Sequence, residues 1–410
     1  MGLGTIRRWA GLVRRMGLPA GLMAVLCLAP MAAWLGLALG GHKPWRGAAI
    51  GPPLVGYVDP ASAPAKTILD HAVQEKTQRD FAAGFIFKPL LVRLNNQLDY
   101  ALLRTSRMYY GRIAIGTGGV LYEAPYIYDS FNYGRSVPGG GGQYGRVVSD
   151  AELQQVASDF TRLRDALARK GVALAVVGVP NKLSVRPDAV PAWYPHHQPE
   201  RERPYLRAAR MLRAAGVPFY DGRQAVRDYR GKHAMFPRGG AHWTVLAAAT
   251  ALDAPVADLI ARQTGQAGRM VVDGVTHQVR LVGADGDLLG LLNLLRPVGP
   301  YGSDVVALHR EGPALPRPIV LVGSSFLGQM HTALEQANVA PSVMELRYLA
   351  QAIPCSTCAP QPLPAGWPDL VTGASAVIVE MNETVFFAEP YRDGYVKQFI
   401  DGVGRAAPER

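Results

Sequence analysis

The stretch Pro318-Ile319-Val320-Leu321-Val322-Gly323-Ser324-Ser325-Phe326 is an apolar run that stops at Gly-Ser-Ser, after which the pattern is that of a helix. A short apolar run closed by a turn signal reads as a strand covered on both faces, as parallel strands under helices are. A serine on such a strand-to-helix turn has its hydroxyl lifted into solvent with backbone N–H groups beside it. Ser325 is therefore the candidate nucleophile, with Ser324 beside it in the turn. A buried strand ending in Gly-Ser also occurs in α/β proteins that do no chemistry there, so a partner is needed. Ala241-His242-Trp243-Thr244 opens a helical stretch from Val245 to Arg262, which puts His242 near a helix N-terminus, where it can serve as a general base.

Outward from this turn the chain alternates strand and helix. Ser149-Asp150-Ala151-Glu152 offers an N-cap for a helix that runs to Arg169, and Lys170-Gly171 closes it. Val172 to Val179 is a continuous apolar strand, followed by a helix from Glu200 to Ala215 and a strand from Val217 to Tyr220. The helix after His242 and the strands Ile319 to Val322 and Ala376 to Val379 continue the series. The class is α/β, and the pattern predicts a doubly wound parallel sheet of the flavodoxin-like kind. Ligands of such sheets bind at the carboxyl ends of the strands. Three polar strand ends stand out: Pro180-Asn181-Lys182, Gly323-Ser324-Ser325 and Glu380-Met381-Asn382-Glu383. Asn181, Lys182 and Asn382 are candidate oxyanion or substrate residues, although Lys182 could equally cap a carbonyl, and Asn382 and Glu380 could satisfy backbone groups. Arg112 to Tyr122 reads as two short strands joined by a glycine turn, and Pro138 to Gly142 as a surface loop, since no Gly-Lys-Ser/Thr follows it.

The N-terminal part reads as a membrane anchor. No charged residue lies between Arg15 and His42, and Met16 to Gly41 is long enough to cross a bilayer as a helix. Arg7, Arg8, Arg14 and Arg15 precede it, which favours a cytoplasmic N-terminus and an exported body. A cleaved secretory signal has the same parts, but this apolar run is longer than most. The expected organisation is a cytoplasmic segment 1–15, a transmembrane anchor 16–41, a linker with membrane-proximal helices over 42–105, and an α/β domain over 106–400. With 43 Lys and Arg against 32 Asp and Glu, the formal charge is +11, yet the chain has no dense basic run interleaved with aromatics. Nucleic acid is thereby disfavoured as a partner, whereas an exported polysaccharide or lipid headgroups fit. Cys27 falls in the anchor; Cys355 and Cys358, bracketed by Pro354 and Pro360, are expected to form a small disulfide in an oxidising compartment. No cluster with metal-ligand spacing is present in the sequence.

From about Phe81 to Tyr391 several segments together resemble the SGNH-hydrolase-like domain of the alginate O-acetyltransferase family, of the AlgJ/AlgX type. They are Ile115-Gly116-Thr117-Gly118-Gly119-Val120-Leu121-Tyr122, Val179-Pro180-Asn181-Lys182, Gly286-Asp287-Leu288 and Val322-Gly323-Ser324-Ser325-Phe326. The family's Asp-Thr-His-Trp motif is similar to Gly240-Ala241-His242-Trp243, with Gly240 at the aspartate position. The resemblance implies an SGNH fold and acetyl transfer to an exported polysaccharide without metal or nucleotide cofactor. It also implies a single-pass inner-membrane protein with its domain in the periplasm, working with a membrane-bound O-acyltransferase and other polysaccharide-synthesis proteins. Gly240 leaves three alternatives. The acid comes from Asp221 or Asp287, a Ser325 and His242 dyad acts alone, or the chain is a non-catalytic glycan-binding or assembly subunit. An acetyl esterase would use the same residues with water as acceptor. Trp243 is either a packing residue or a sugar platform.

Overall fold

The computed structural model describes residues 55, 87–106, 113–132, 147–190, 202–297, 299–384, 386–387 and 394–406. Its strands are β1 (Ile113–Ile115), β2 (Leu121–Glu123), β3 (Ala173–Val179), β4 (Phe219–Tyr220), β5 (Arg269–Gln278), β6 (Ser303–Glu311), β7 (Ile319–Gly323), β8 (Val343–Arg347), β9 (Gln351–Ile353), β10 (Gln361–Pro362) and β11 (Ala376–Asn382). Its α-helices are α1 (Lys88–Leu98), α2 (Ala124–Asn132), α3 (Asp150–Ala168), α4 (Lys182–Val185), α5 (Pro204–Ala214), α6 (Gly222–Asp228), α7 (Val245–Thr264), α8 (Asp287–Leu291), α9 (Leu327–Gln336), α10 (Trp367–Thr372) and α11 (Tyr395–Ala406).

The apolar runs read as strands lie side by side because both of their faces are covered. Across the main sheet the order is β10-β9-β8-β7-β11-β3-β4, and the five strands from β8 to β4 run parallel. Val176, Val320, Val322, Val377 and Val379 face a core shared with α3, α5 and α11. Their neighbours Ala175, Val177, Ile319, Leu321 and Ile378 face a second core with α7 and α9. Alternate residues of each strand thus enter different cores, which is why no polar alternation is visible in the sequence.

The sheet is mixed, where the sequence predicts a parallel one. Arg347 of β8 and Gln351 of β9 are separated only by Tyr348 to Ala350, far too few residues for the crossover that a parallel pair needs. β9 therefore returns antiparallel to β8, and β10 returns antiparallel to β9. The ribbon of β5 and β6, with its irregularity between Val272 and Gly274, is a further addition that the strand–helix alternation does not anticipate. The short pair β1 and β2 forms where the glycine turn is expected.

By their contacts the residues divide into two units, one of 112–289 with 299–410 and the other of residues up to 111 with 290–298. In the latter, α1 continues into a π-turn over Asp99–Leu103, and Asn96 Nδ2 donates to the Leu292 carbonyl at 3.0 Å. The segment expected to cross the membrane, 16–41, lies outside the described residues. Among those described, no helix is long and apolar enough to cross a membrane. Cys355 and Cys358 are joined in a disulfide.

Helix α3 starts as its sequence dictates. Ser149 Oγ accepts from the Glu152 N–H at 3.2 Å, while Glu152 Oε2 accepts from the Ser149 N–H at 2.9 Å, a reciprocal capping box. Ser149→Ala is expected to lower the unfolding free energy by about 1 kcal/mol, read as a lower urea midpoint at unchanged slope.

Candidate active site

Ser325 lies two residues past the end of β7, where the chain turns into α9. The turn is held from below by a buried carboxyl. Glu380, on the neighbouring β11, accepts from the Ser324 N–H at 2.6 Å and from the Ser324 hydroxyl at 2.8 Å. Room for it exists because residue 323 is glycine: a Cβ there would stand 2.4 Å from Glu380 Oε2. Ser324 Oγ in turn accepts from the Phe326 N–H at 3.3 Å. Ser324 thus spends its hydroxyl on the fold, leaving Ser325 half-buried at the surface of the turn.

The histidine arrives on the segment before α7, whose N-cap is Thr244. Two ties fix it against the serine turn. Trp243 is fully buried, and its indole N–H donates to the Phe326 carbonyl at 3.0 Å. The Phe326 ring packs on the His242 imidazole with 4.7 Å between centroids. His242 Nε2 then lies 2.7 Å from Ser325 Oγ. On the other side of the imidazole, Nδ1 lies 2.5 Å from Asp287 Oδ2.

Asp287 opens α8, and its second oxygen is also occupied: Oδ1 accepts from the Ala241 N–H at 2.8 Å and the Leu288 N–H at 2.6 Å. Beside it the Leu289 N–H donates to the Gly239 carbonyl at 2.9 Å, so the start of α8 runs along the histidine segment. That contact explains Gly240. A Cβ at position 240 would stand 2.3 Å from the Ala284 carbonyl oxygen, leaving no room for any side chain. The position that the resemblance assigns to an aspartate is closed, and the carboxylate within reach of His242 is that of Asp287.

Asp221, the other candidate acid, is used elsewhere. It caps α6 through the Gln224 N–H at 3.0 Å and accepts from the Tyr205 hydroxyl at 2.8 Å. Asn181 is fully buried; its Oδ1 caps α4 by accepting from the Ser184 N–H at 3.0 Å, and its Nδ2 donates to Thr384 Oγ1. Asn382 is buried and accepts from the Thr384 N–H at 3.0 Å. Strand-end asparagines satisfy backbone groups here, so the expectation that they line the oxyanion position gives way to a capping role. Trp243, with 0% of its surface exposed, is no sugar platform.

Lys182 is likewise buried and takes three carbonyls, of Leu121 at 2.8 Å, Gly240 at 2.8 Å and Arg238 at 3.2 Å. Burial pulls its amine down to about 7. The three acceptors match the three donors of an ammonium and oppose that pull. Lys182 therefore acts on the histidine segment from behind, through the Gly240 carbonyl.

Glu380, expected from the sequence to satisfy backbone groups at a strand end, does so for the Ser324 N–H. One residue at the site carried no chemical signal in the sequence: Tyr348, whose hydroxyl accepts from the Ser325 N–H at 3.1 Å. Tyr348 lies in the β8–β9 turn, and only the order of strands in the sheet brings that turn beside β7.

Residues 143–339 match a family described as the SGNH hydrolase-like domain of acetyltransferase AlgX, a stretch that includes His242, Asp287 and Ser325. No curated protein matches the chain. Among solved structures, the O-acetyltransferase domain of Pseudomonas putida AlgJ overlaps at 19% identity and a TM-score of 0.42, over 72% of this chain and 99% of that one. Pseudomonas aeruginosa AlgX overlaps at 18% and 0.39, over 66% of this chain and 61% of that one. A DHHW family protein from Eubacterium siraeum overlaps at 11% and 0.36, over 73% and 99%.

Burial pushes the Glu380 carboxyl from 4.5 up to about 7, against the opposing hydrogen bonds from Ser324. The folded state therefore binds this proton more tightly than the unfolded chain does. The stability it contributes is whole below about pH 4.5 and is lost as pH rises through about 7. Urea midpoints measured across that window are expected to fall with pH in the wild type and to fall less in Glu380→Gln.

Proposed function

We propose that this chain, whose residues 143–339 match the AlgX-type SGNH hydrolase-like domain, transfers acetyl groups to hydroxyls of an exported polysaccharide through an acyl-serine at Ser325. The observation that carries the reading is the line from Ser325 Oγ through the two ring nitrogens of His242 to Asp287, with contacts of 2.7 and 2.5 Å.

In this reading His242 Nε2 takes the Ser325 proton as Oγ attacks the acetyl carbonyl, and the carbonyl electron pair moves onto its oxygen. Collapse of the tetrahedral species expels the donor's leaving group, which receives the proton from His242. A sugar hydroxyl then attacks the acyl-serine, gives its proton to His242, and leaves as the acetyl ester while Oγ recovers a proton. Asp287 holds the Nδ1–H tautomer and faces the positive charge that the imidazole gains. Ser325 is half-buried beside an exposed Tyr348, which supports access for a polymer rather than an enclosed small molecule. The reading places the domain in the periplasm, anchored in the inner membrane by 16–41 and supplied with acetyl by a membrane-bound O-acyltransferase. The Asp287 carboxylate beside His242 supports this reading over the non-catalytic subunit that Gly240 suggests.

The test is turnover of a chromogenic acetyl ester by the full-length protein, with and without an oligosaccharide acceptor. Ser325→Ala is expected to abolish release, and acceptor is expected to divert acetyl from water; hydrolysis that no acceptor diverts would mark an esterase instead. Asp287→Asn should lower kcat by about 10⁴-fold. Adding Gly240→Asp to that variant should restore nothing and should destabilise the fold, because the new side chain meets the Ala284 carbonyl.

A further inference from the structure

The backbone N–H of a serine nucleophile is a common donor to the oxygen of the acyl group that its Oγ attacks. In the structure the Ser325 N–H is taken by the phenolic oxygen of Tyr348, at 3.1 Å. Oxyanion donors stand about 2.7–3.1 Å from the oxygen they hold. The other N–H groups of the turn point elsewhere: Ser324 to Glu380, Phe326 to Ser324 Oγ, and Leu327 to the Ser324 carbonyl. Asn181 and Asn382 lie buried on backbone and side-chain partners of their own.

We propose that Tyr348 is a further catalytic residue of this site: its hydroxyl accepts the Ser325 N–H in the free protein, then yields that N–H to the acyl oxygen and donates its own O–H to the same oxygen. The assignment rests on acyl transfer at Ser325. No proton leaves Tyr348 in the cycle. As the bond from Oγ to the acyl carbon forms and the carbonyl pair moves onto oxygen, the phenol and the Ser325 N–H stabilise that charge together, while the Oγ proton goes to His242.

The backbone around Tyr348 supports a built position. Tyr348 and Leu349 have φ of 52° and 46°, and the Ala350 N–H closes the turn on the Arg347 carbonyl at 3.1 Å. Positive φ at both central residues is the mark of a type I′ hairpin turn, where asparagine and glycine are favoured. A tyrosine followed by a leucine takes this conformation only where surrounding contacts enforce it. Those contacts are present. The Tyr348 N–H donates to the Gly323 carbonyl at 2.8 Å, tying the turn to the strand end that carries Ser325. The Tyr348 ring meets Tyr395 edge-on at 5.7 Å and 82°.

The experiment compares wild type, Tyr348→Phe and Ser325→Ala as full-length proteins on a chromogenic acetyl ester. Tyr348→Phe keeps the ring, the turn and the contact with Tyr395, and its side chain is 46% exposed, so thermal unfolding should match wild type. The expected result is a fall in kcat of roughly 10²–10³-fold with little change in KM, as for loss of one oxyanion donor. Labelling of Ser325 by a fluorophosphonate, which builds charge on the same oxygen, should slow in parallel. Unchanged or faster turnover in Tyr348→Phe, with Ser325→Ala inactive, would overturn the assignment of Tyr348 alone. Turnover that survives Ser325→Ala would overturn it together with the acyl-serine reading.

Discussion

Two backbone N–H groups on one carboxylate oxygen hold this site together. Asp287 Oδ1 takes the amides of Ala241 and Leu288, which leaves Oδ2 aimed at His242 and joins the histidine segment to the start of α8. A carboxylate so gripped cannot rotate away without losing two charge-assisted bonds, each worth more than a neutral one. The imidazole it orients is pressed from the other side by Phe326 and hung from the serine turn through Trp243. Each of the three elements is thereby located by the other two. Gly240 belongs to the same arrangement: the histidine segment and the chain around Ala284 approach so closely that a side chain there is excluded.

The two adjacent serines divide their work. Ser324 reaches down to Glu380, a fully buried carboxyl on the next strand, and fixes the geometry of the turn. Ser325 is left with His242 at its hydroxyl and Tyr348 at its amide. A carboxyl raised toward neutrality by burial makes this arrangement cheaper to keep than a full buried charge would be, since an unpaired ion costs far more to desolvate. Lys182 does the comparable work behind His242, gathering three carbonyls from two segments, Leu121 on one and Arg238 with Gly240 on the other, that no regular ladder pairs.

Much of this was legible in the residues. Runs such as Val172 to Val179 and Ile319 to Val322 announce covered parallel strands, and Gly-Ser-Ser announces the turn, because burial on both faces and a tight turn each restrict composition. The Ser149 capping box is a local rule locally obeyed. The acid was legible only as a pair of candidates, since Asp221 and Asp287 both follow a break in structure and distance along the chain says nothing of which reaches His242. Tyr348 gave no signal at all. Its turn lacks the Asn-Gly or Asp-Gly pair that marks a type I′ hairpin, and its place beside Ser325 depends on strand order, which is a property of the assembled sheet. The same absent signal hid the antiparallel pair β8 and β9. Asn181, Lys182 and Asn382 were legible as polar strand ends, but backbone groups at those ends outcompete a ligand for them.

The margins of the main sheet bear on whether another chain can add to it as a strand. One margin is β10, two residues long and ending in Pro362, which has no amide to donate; the other is β4, also two residues long. Neither margin of the described sheet offers a ladder long enough to recruit an extended chain by strand addition. Strand addition by a neighbouring copy is thereby disfavoured at the main sheet.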